Sequence, residues 1–437
     1  MCGICGQYSF YGELVLEERI LKMMNSIVHR GPDDSGFYVS RQIGLGFRRL
    51  SIIDLSDGHQ PMSDNEKRIW VVFNGEIYNF RELRTELEKK GHRFLTSSDT
   101  EVIVYGYKQW GADVLNRLNG MFGLAIWDTA QNRLIIARDP MGIKPVYYCN
   151  TGSDLFFGSE IRPIIAALGT CPEVDSVSLN LFLRYRYTPS PGTLYKDVFK
   201  LAAGEMIEVV NGKMDKRRWY NYVPTLFEKA PSITDAEEEL FCLYRNAVKR
   251  QLISDVPVGI LLSGGVDSGL LLALMSENGK NWPTFTVGYG KSYKDDELID
   301  AKETADFYGA SNEAVLIDRE TFELELPQII SCLEEPVASS SVVPMYFVCQ
   351  KARQDVKVAL IGQGPDELFG GYSRHLGAQY GYILRRMPQI FQSIVSNLIY
   401  TLPRNEALKR AVSSLGTKDK FQRYRNIFSL LPGDTIN

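Results

Sequence analysis

Long apolar runs are missing from this chain of 437 residues. None approaches the ~20 residues that a membrane-crossing helix needs. The start of the chain shows no basic-then-apolar leader pattern. Positive charge is not in excess: 49 Lys and Arg stand against 53 Asp and Glu, a net charge of −4, which gives no electrostatic reason to expect a nucleic-acid partner. Histidine is scarce, with only His29, His59, His92 and His375, and these form no catalytic or metal-binding spacing. The cysteines number seven, an odd count spread from Cys2 to Cys349, so a disulfide framework is not expected and a reducing, cytoplasmic setting is. Internal repeats and low-complexity tracts are absent as well. What remains is an ordinary globular composition, 44% hydrophobic and 23% charged, long enough for two or three domains.

The most informative stretch is Val256 to Leu270, VPVGILLSGGVDSGL. An apolar run without polar alternation suggests a strand buried on both faces. It leads into Ser263-Gly264-Gly265 and then a leucine-rich helical segment. Strand, glycine turn and helix start together make an anion site, because glycines let the backbone approach and the first helical N–H groups point outward. Ser263 and Ser268 add hydroxyl donors. Asp267 would repel phosphates unless a cation lies between, so it reads as a Mg²⁺ ligand. A second apolar strand runs into glycines and acids at Val356 to Tyr372, VKVALIGQGPDELFGGY. Gly288-Tyr289-Gly290-Lys291-Ser292 ends like a Walker A loop, but Phe285 stands where that motif needs glycine.

The other end of the chain begins Met1-Cys2-Gly3-Ile4-Cys5-Gly6. Zinc is disfavoured, since no second pair of ligands follows at zinc spacing. With Met1 trimmed, Cys2 would carry its thiol and a free α-amine on one residue. Such an amine, with an ordinary pKa of about 7.7–8.0, can serve as base for its own thiol.

The string Ser-Gly-Gly-Val-Asp-Ser at 263–268 resembles the pyrophosphatase loop of the ATP-pyrophosphatase superfamily. Cys2, His29-Arg30-Gly31-Pro32-Asp33, Phe47 to Asp54, Asn74 to Asn79 and Ser97 to Glu101, in this order, resemble the class II glutamine amidotransferase domain. Together the two halves resemble the glutamine-hydrolysing asparagine synthetase family. The resemblance implies an α+β N-terminal-nucleophile hydrolase sandwich (αββα) over residues 2–212. It implies an α/β doubly wound parallel-sheet domain over residues 234–437, with its C-terminal part missing because the chain stops early.

The same resemblance implies site residues. Cys2 attacks glutamine, with Asn74 and the Gly75 N–H as oxyanion hole. Arg49 grips the α-carboxylate, and Leu50, Ser51, Ile52 and Ile53 flank it. Glu76 and Asp99 hold the α-amino end. Leu262, Ser263, Gly264, Gly265, Asp267, Ser268, Val287, Ile361, Gly362 and Gly364 would surround ATP, with Leu262 and Val287 against the base. Asp267 and Asp366 would bind Mg²⁺. Implied substrates are glutamine, ATP and a carboxylic acid, aspartate in the first instance; a homodimer is compatible, and no nucleic acid or membrane is.

Two further departures concern the acceptor. Gln363, placed by the resemblance at the acyl-adenylate and ammonia step, stands where the family usually has glutamate; an amide cannot take a proton, so its expected role is to orient the adenylate by hydrogen bonds. Glu334 to Pro344, the expected acceptor segment, offers serine hydroxyls but no arginine after two threonines. These leave open another acceptor, such as a sugar acid of surface polysaccharides. The early stop leaves open a chain that keeps only glutaminase or partner-binding activity.

Overall fold

The computed structural model describes residues 1–224, 230–290, 296–372, 385–401 and 417–429. Residues His375, Lys291 and Ser292 lie outside these, as does much of the segment 380–429 expected to be helical; within it, Gln389–Tyr400 and Lys420–Phe428 are helices.

Two six-stranded sheets build the N-terminal domain. In the first, Gly3–Ser9 lies between Asp154–Gly158 and Ile43–Arg49. In the second, Ile69–Ile77 pairs along its whole length with Gly120–Asp128. Ile4, Tyr8, Leu45 and Phe47 from one sheet meet Val72, Trp127, Leu134 and Ile136 from the other, forming the inner core. Helix Glu17–Asn25 covers the outer face of the first sheet through Ile20, Met23 and Met24. Helices Phe80–Lys89 and Glu101–Trp110 cover the second. Phe80, Leu83 and Leu87 recur at helical spacing and are the buried face of the former. The expected helix–sheet–sheet–helix layering is therefore observed.

Two boundaries differ from expectation. The strand expected at Trp70–Phe73 continues through Asn74, Gly75, Glu76 and Ile77, because the ladder with Gly120–Asp128 does not stop. The domain does not end at 212. Asn211 and Gly212 both have positive φ and form a hairpin turn, and Lys213–Arg218 returns along Glu205–Val210. The return strand reads K-M-D-K-R-R, which looks like a polar linker because an edge strand can keep charged side chains in water. Trp219 then stacks on Phe122 and donates its Nε1–H to the Arg138 carbonyl.

The second domain opens with helix Ile233–Gln251, capped by Ser232. Its sheet is fully parallel, in the order Ser311–Leu316, Pro283–Gly288, Val258–Leu261, Val358–Ile361. One face carries Leu272, Leu274, Met275, Ala301 and Ala305 from helices Val266–Ser276 and Leu298–Phe307. The other carries Val348 and Ala352 of helix Val342–Ala352. Helices on both faces make the sheet doubly wound, as expected. Strand order reverses between Val258–Leu261 and Val358–Ile361, the place where open α/β sheets bind ligands at their C-terminal ends. Both glycine turns leave the sheet there.

Candidate active sites

Cys2 is half-buried, one residue before the first strand. Its thiol receives the Leu50 N–H at 3.4 Å, and its carbonyl accepts Arg30 Nε–H at 2.9 Å. Arg30 is in turn paired with Glu160 at 2.9 Å. Burial pushes the Cys2 thiol up from its ordinary value, so it rests neutral and needs a base. The structure includes Met1, whose ammonium is lowered to about 6, chiefly by burial. An amine on Cys2, exposed by loss of Met1, would stand one residue along in this setting, where burial and the charges of Arg30 and Lys144 favour the neutral, basic form.

Asn74 and Glu76 lie two apart on one strand and so share a face. Asn74 is 1% exposed, yet its Nδ2 has no partner. An orphaned buried donor is costly in a resting protein, and it is what an oxyanion hole requires. Gly75 is required by the partner strand: a Cβ there would lie 2.0 Å from the Met121 carbonyl oxygen.

Arg49 is buried, with its guanidinium held by the carbonyls of Ile53, Asp54 and Leu55. Three of its five N–H groups are used in this way, leaving Nε and one Nη1–H for a carboxylate. Asp99 lies at the start of helix Glu101–Trp110. No side chain caps that helix at Thr100; the Ser98 hydroxyl instead accepts the Thr100 N–H at 3.2 Å. Asp99 accepts the Ile77 N–H at 2.9 Å, and burial lifts its carboxyl to about 6. Burial and the neighbouring Asp99 charge raise Glu76 well above the carboxylate range. A buried and a half-buried acid whose charges act on one another suit an ammonium.

The sign of the pH effect follows. Asp99, raised from 3.8, contributes stability fully below that unfolded value and loses it as pH rises through about 6. A bound ammonium reverses the balance. Thermal stability of the unliganded protein should therefore fall at this site between about pH 4 and about pH 6 and be restored by glutamine. The KM for glutamine should rise roughly tenfold from pH 7 to pH 5 as the acid is neutralised. A flat KM across that range would remove Asp99 from the ammonium site.

Several participants were not visible in the chain. Lys144 comes from a turn that reads as structural, and Asp139 does organise that turn, accepting N–H groups from Phe122, Met141, Ile143 and Lys144. Yet Lys144 is itself buried, with Nζ 3.0 Å from Met1 Sδ. Burial lowers it, opposed by the charge of Glu76. Its one sequence signal is a lysine between Ile143 and Pro145 in an otherwise apolar turn.

In the second domain the Ser263 and Ser268 hydroxyls are 2.9 Å apart, and Ser268 Oγ accepts the Ser263 N–H at 3.2 Å. Asp267 sits in the first turn of its helix. Gly362 packs against that turn: a Cβ would lie 2.7 Å from Ser268 N and 3.0 Å from Asp267 C. The two glycine turns thus form one cradle, with Leu261 and Ile361 level in the parallel register. Asp366 lies in the short helix Pro365–Phe369 that follows Gly364 at φ +124°. Among the described residues no trio of His, Cys, Asp or Glu forms a preformed metal cage. Two carboxylates beside a phosphate cradle fit Mg²⁺, which takes its other ligands from phosphate and water.

Three details change the expected picture. Leu262 is 2% exposed and packs into the core under the helices, so it can face a base only through its backbone. Val287 is half-buried between two core clusters. The Gly264 N–H, expected to meet phosphate, donates to Glu297 Oε2 at 3.1 Å. Gln363 and Ile361 are exposed at the cradle mouth.

The acceptor segment also differs from expectation. Glu334 and Glu335 turn toward the first domain. Glu334 accepts the Ile161 N–H at 2.5 Å and lies 3.1 Å from Arg162 Nε. Glu335 accepts the Leu194 N–H and pairs with Lys200 at 2.6 Å. These acids dock the domains; the serines beyond them remain at the surface.

A cysteine at the head of a four-layer sandwich with an orphaned amide donor, joined to a parallel sheet with twin glycine turns, defines an amidotransferase fused to a nucleotide-binding synthetase domain. A family model for the glutamine amidotransferase domain matches residues 1–220, and one for asparagine synthase matches residues 242–433. Glutamine-hydrolysing asparagine synthetase 1 of Bacillus subtilis is 37% identical over 379 residues, covering 85% of this chain and 59% of that protein. A Methanocaldococcus jannaschii protein named putative glutamine-hydrolysing asparagine synthetase 2 is 34% identical over 426 residues, covering 91% and 81%. A rice counterpart is 32% identical, covering 85% and 60%. The chain therefore belongs to the glutamine-hydrolysing asparagine synthetase family, while spanning about 60% of the length of the Bacillus and rice relatives.

Proposed function

We propose that this chain is a glutamine- and ATP-dependent amide ligase. Cys2 adds to the amide carbon of glutamine while Asn74 Nδ2 and the Gly75 N–H receive the oxyanion. Collapse releases ammonia, and water then frees glutamate from the thioester. In the second domain a carboxylate attacks the α-phosphorus of ATP, giving acyl-adenylate and pyrophosphate. Ammonia displaces AMP to leave the amide. Mg²⁺, held by Asp267 and Asp366, would neutralise charge on the departing pyrophosphate. The observation that carries the glutaminase half is the buried, unpartnered Asn74 amide on the face that bears Glu76. The family relationship supports the ligase half.

Aspartate is the first acceptor to test. Gln363 and the serine-rich segment 339–341 favour a second reading, another carboxylic acid. The test is pyrophosphate release from ATP across a panel of acids. Stimulation by aspartate supports the first reading, stimulation only by another acid the second, and no stimulation by any acid contradicts the ligase assignment.

A further inference from the structure

Asp54 is the hub of the glutamine site, and it is held from the other domain. It has φ +54°, a left-handed conformation that among non-glycine residues asparagine and aspartate adopt most readily. Its carbonyl grips Arg49. Its carboxylate accepts N–H groups from Ser97 at 2.7 Å and Asp57 at 3.0 Å. One residue thus orients both the arginine expected on the α-carboxylate and the loop that carries Asp99. The remaining polar group of Asp54, its own N–H, donates to Asp255 Oδ2 at 2.8 Å. Asp255 answers with its N–H to the Ile52 carbonyl at 3.0 Å. Ile253 and Ile53 pack on the same core cluster beneath this bridge.

A second tie lies beside it. Lys357 Nζ meets Asp33 Oδ2 at 2.7 Å, and the same oxygen accepts the Ser51 N–H at 2.9 Å. Ser51 follows Leu50, whose N–H points at Cys2 Sγ. The two ties have a common origin. Asp255 precedes strand Val258–Leu261, and Lys357 precedes strand Val358–Ile361. These adjacent strands bear the two glycine turns at their far ends. Each is short and hydrogen-bonded to its neighbour, so a shift at one end is carried to the other.

We infer that Asp255 and Lys357 are positioning residues that transmit the state of the nucleotide cradle to the glutamine loop at 50–55. The inference rests on the proposed ligase reading, and it concerns binding of glutamine, not its chemistry. The ties therefore act on KM, leaving kcat nearly unchanged. Asp255 holds a charge-assisted bond to a backbone hub, whereas the Lys357 pair is 41% and 27% exposed and so weaker.

The test uses the full chain and two readouts. Asp255→Ala should raise the glutamine KM about tenfold with kcat within about twofold, and Asp255→Asn, which keeps an acceptor oxygen, should recover most of it. Lys357→Met should raise KM about twofold and Lys357→Arg should restore it. Amide hydrogen exchange at Asp54 should speed up in Asp255→Ala. Magnesium-ATP should slow exchange at Ser51 and Asp54 in the wild type and lose that effect in the Asp255→Ala, Lys357→Met double variant. Wild-type KM and exchange in Asp255→Ala would overturn the inference. So would nucleotide that binds, seen with a fluorescent ATP analogue, but protects the loop equally in both proteins or in neither. A wild type that neither hydrolyses glutamine nor binds nucleotide would instead refute the ligase reading; exchange at Asp54 in Asp255→Ala would then still decide whether the clamp exists.

Discussion

Cys2→Ala abolishes glutamine use, with kcat falling on the order of 10⁴-fold or more, while amide formation from supplied ammonia stays within about twofold. The asymmetry follows from the layout. On the proposed reading the thiol is the only atom asked to form a covalent bond with glutamine, so nothing would replace it. Cys5, three residues on, is fully buried against Met24 and Gly46, and burial holds its thiol far above the ordinary range. Alanine in place of cysteine removes one sulfur at a half-buried position and leaves the Arg30 bond to the Cys2 carbonyl intact, since that contact uses backbone. The fold and the second domain are untouched. Amide formation from glutamine by the variant, or equal loss with glutamine and with ammonia, would show that the nucleophile lies elsewhere. Total product formation with each nitrogen source, on protein whose N-terminal residue has been determined, is the measurement.

Asp267→Asn cuts ATP turnover on the order of a thousandfold while glutamine hydrolysis stays within about threefold. On the proposed reading Asp267 would hold Mg²⁺, which would supply several kcal/mol of charge stabilisation to the leaving pyrophosphate, and about 4 kcal/mol is a factor of a thousand. An amide ligates Mg²⁺ weakly, so raised magnesium should recover part of the rate. Asp366→Asn should act alike, and the double variant should lose less than the product of the two, because in the proposed site both acids would serve one ion. The glutaminase effect is small because Asp267 belongs to the other domain, with the length of a strand between it and Asp255. ATP turnover that survives Asp267→Asn with unchanged magnesium dependence would remove the metal from this residue.

Much of the fold could be read from the chain because the decisive signals are local. A buried strand, a glycine turn and a helix start follow one another within fifteen residues at 256–270. The proposed nucleophile, Cys2, is marked by position alone. The features that escaped are those made by distant pairing. Asp54 draws its role from Ser97 and from Asp255, 43 and 201 residues away, and from a positive φ that an Asp-Leu-Ser string does not announce. Glu334 and Glu335 looked like part of an acceptor pocket because a pair of acids before proline says nothing of partners 173 and 141 residues earlier. Lys213–Arg218 looked like linker because its partner strand supplies the order that its own charges do not. The inward side chain of Leu262 was not legible either: in a run buried on both faces, sequence does not tell which neighbour at the strand's end turns inward.

The central claim is that nitrogen released at Cys2 is spent at the nucleotide cradle of the same chain. It is tested most directly by incubating the protein with amide-¹⁵N glutamine, magnesium-ATP, an accepted acid and excess unlabelled ammonium. The account predicts product carboxamide enriched in ¹⁵N, one AMP formed per amide, and no label in product made by Cys2→Ala. Product that carries only the unlabelled nitrogen, or label released as ammonia with no amide and no AMP, would contradict it.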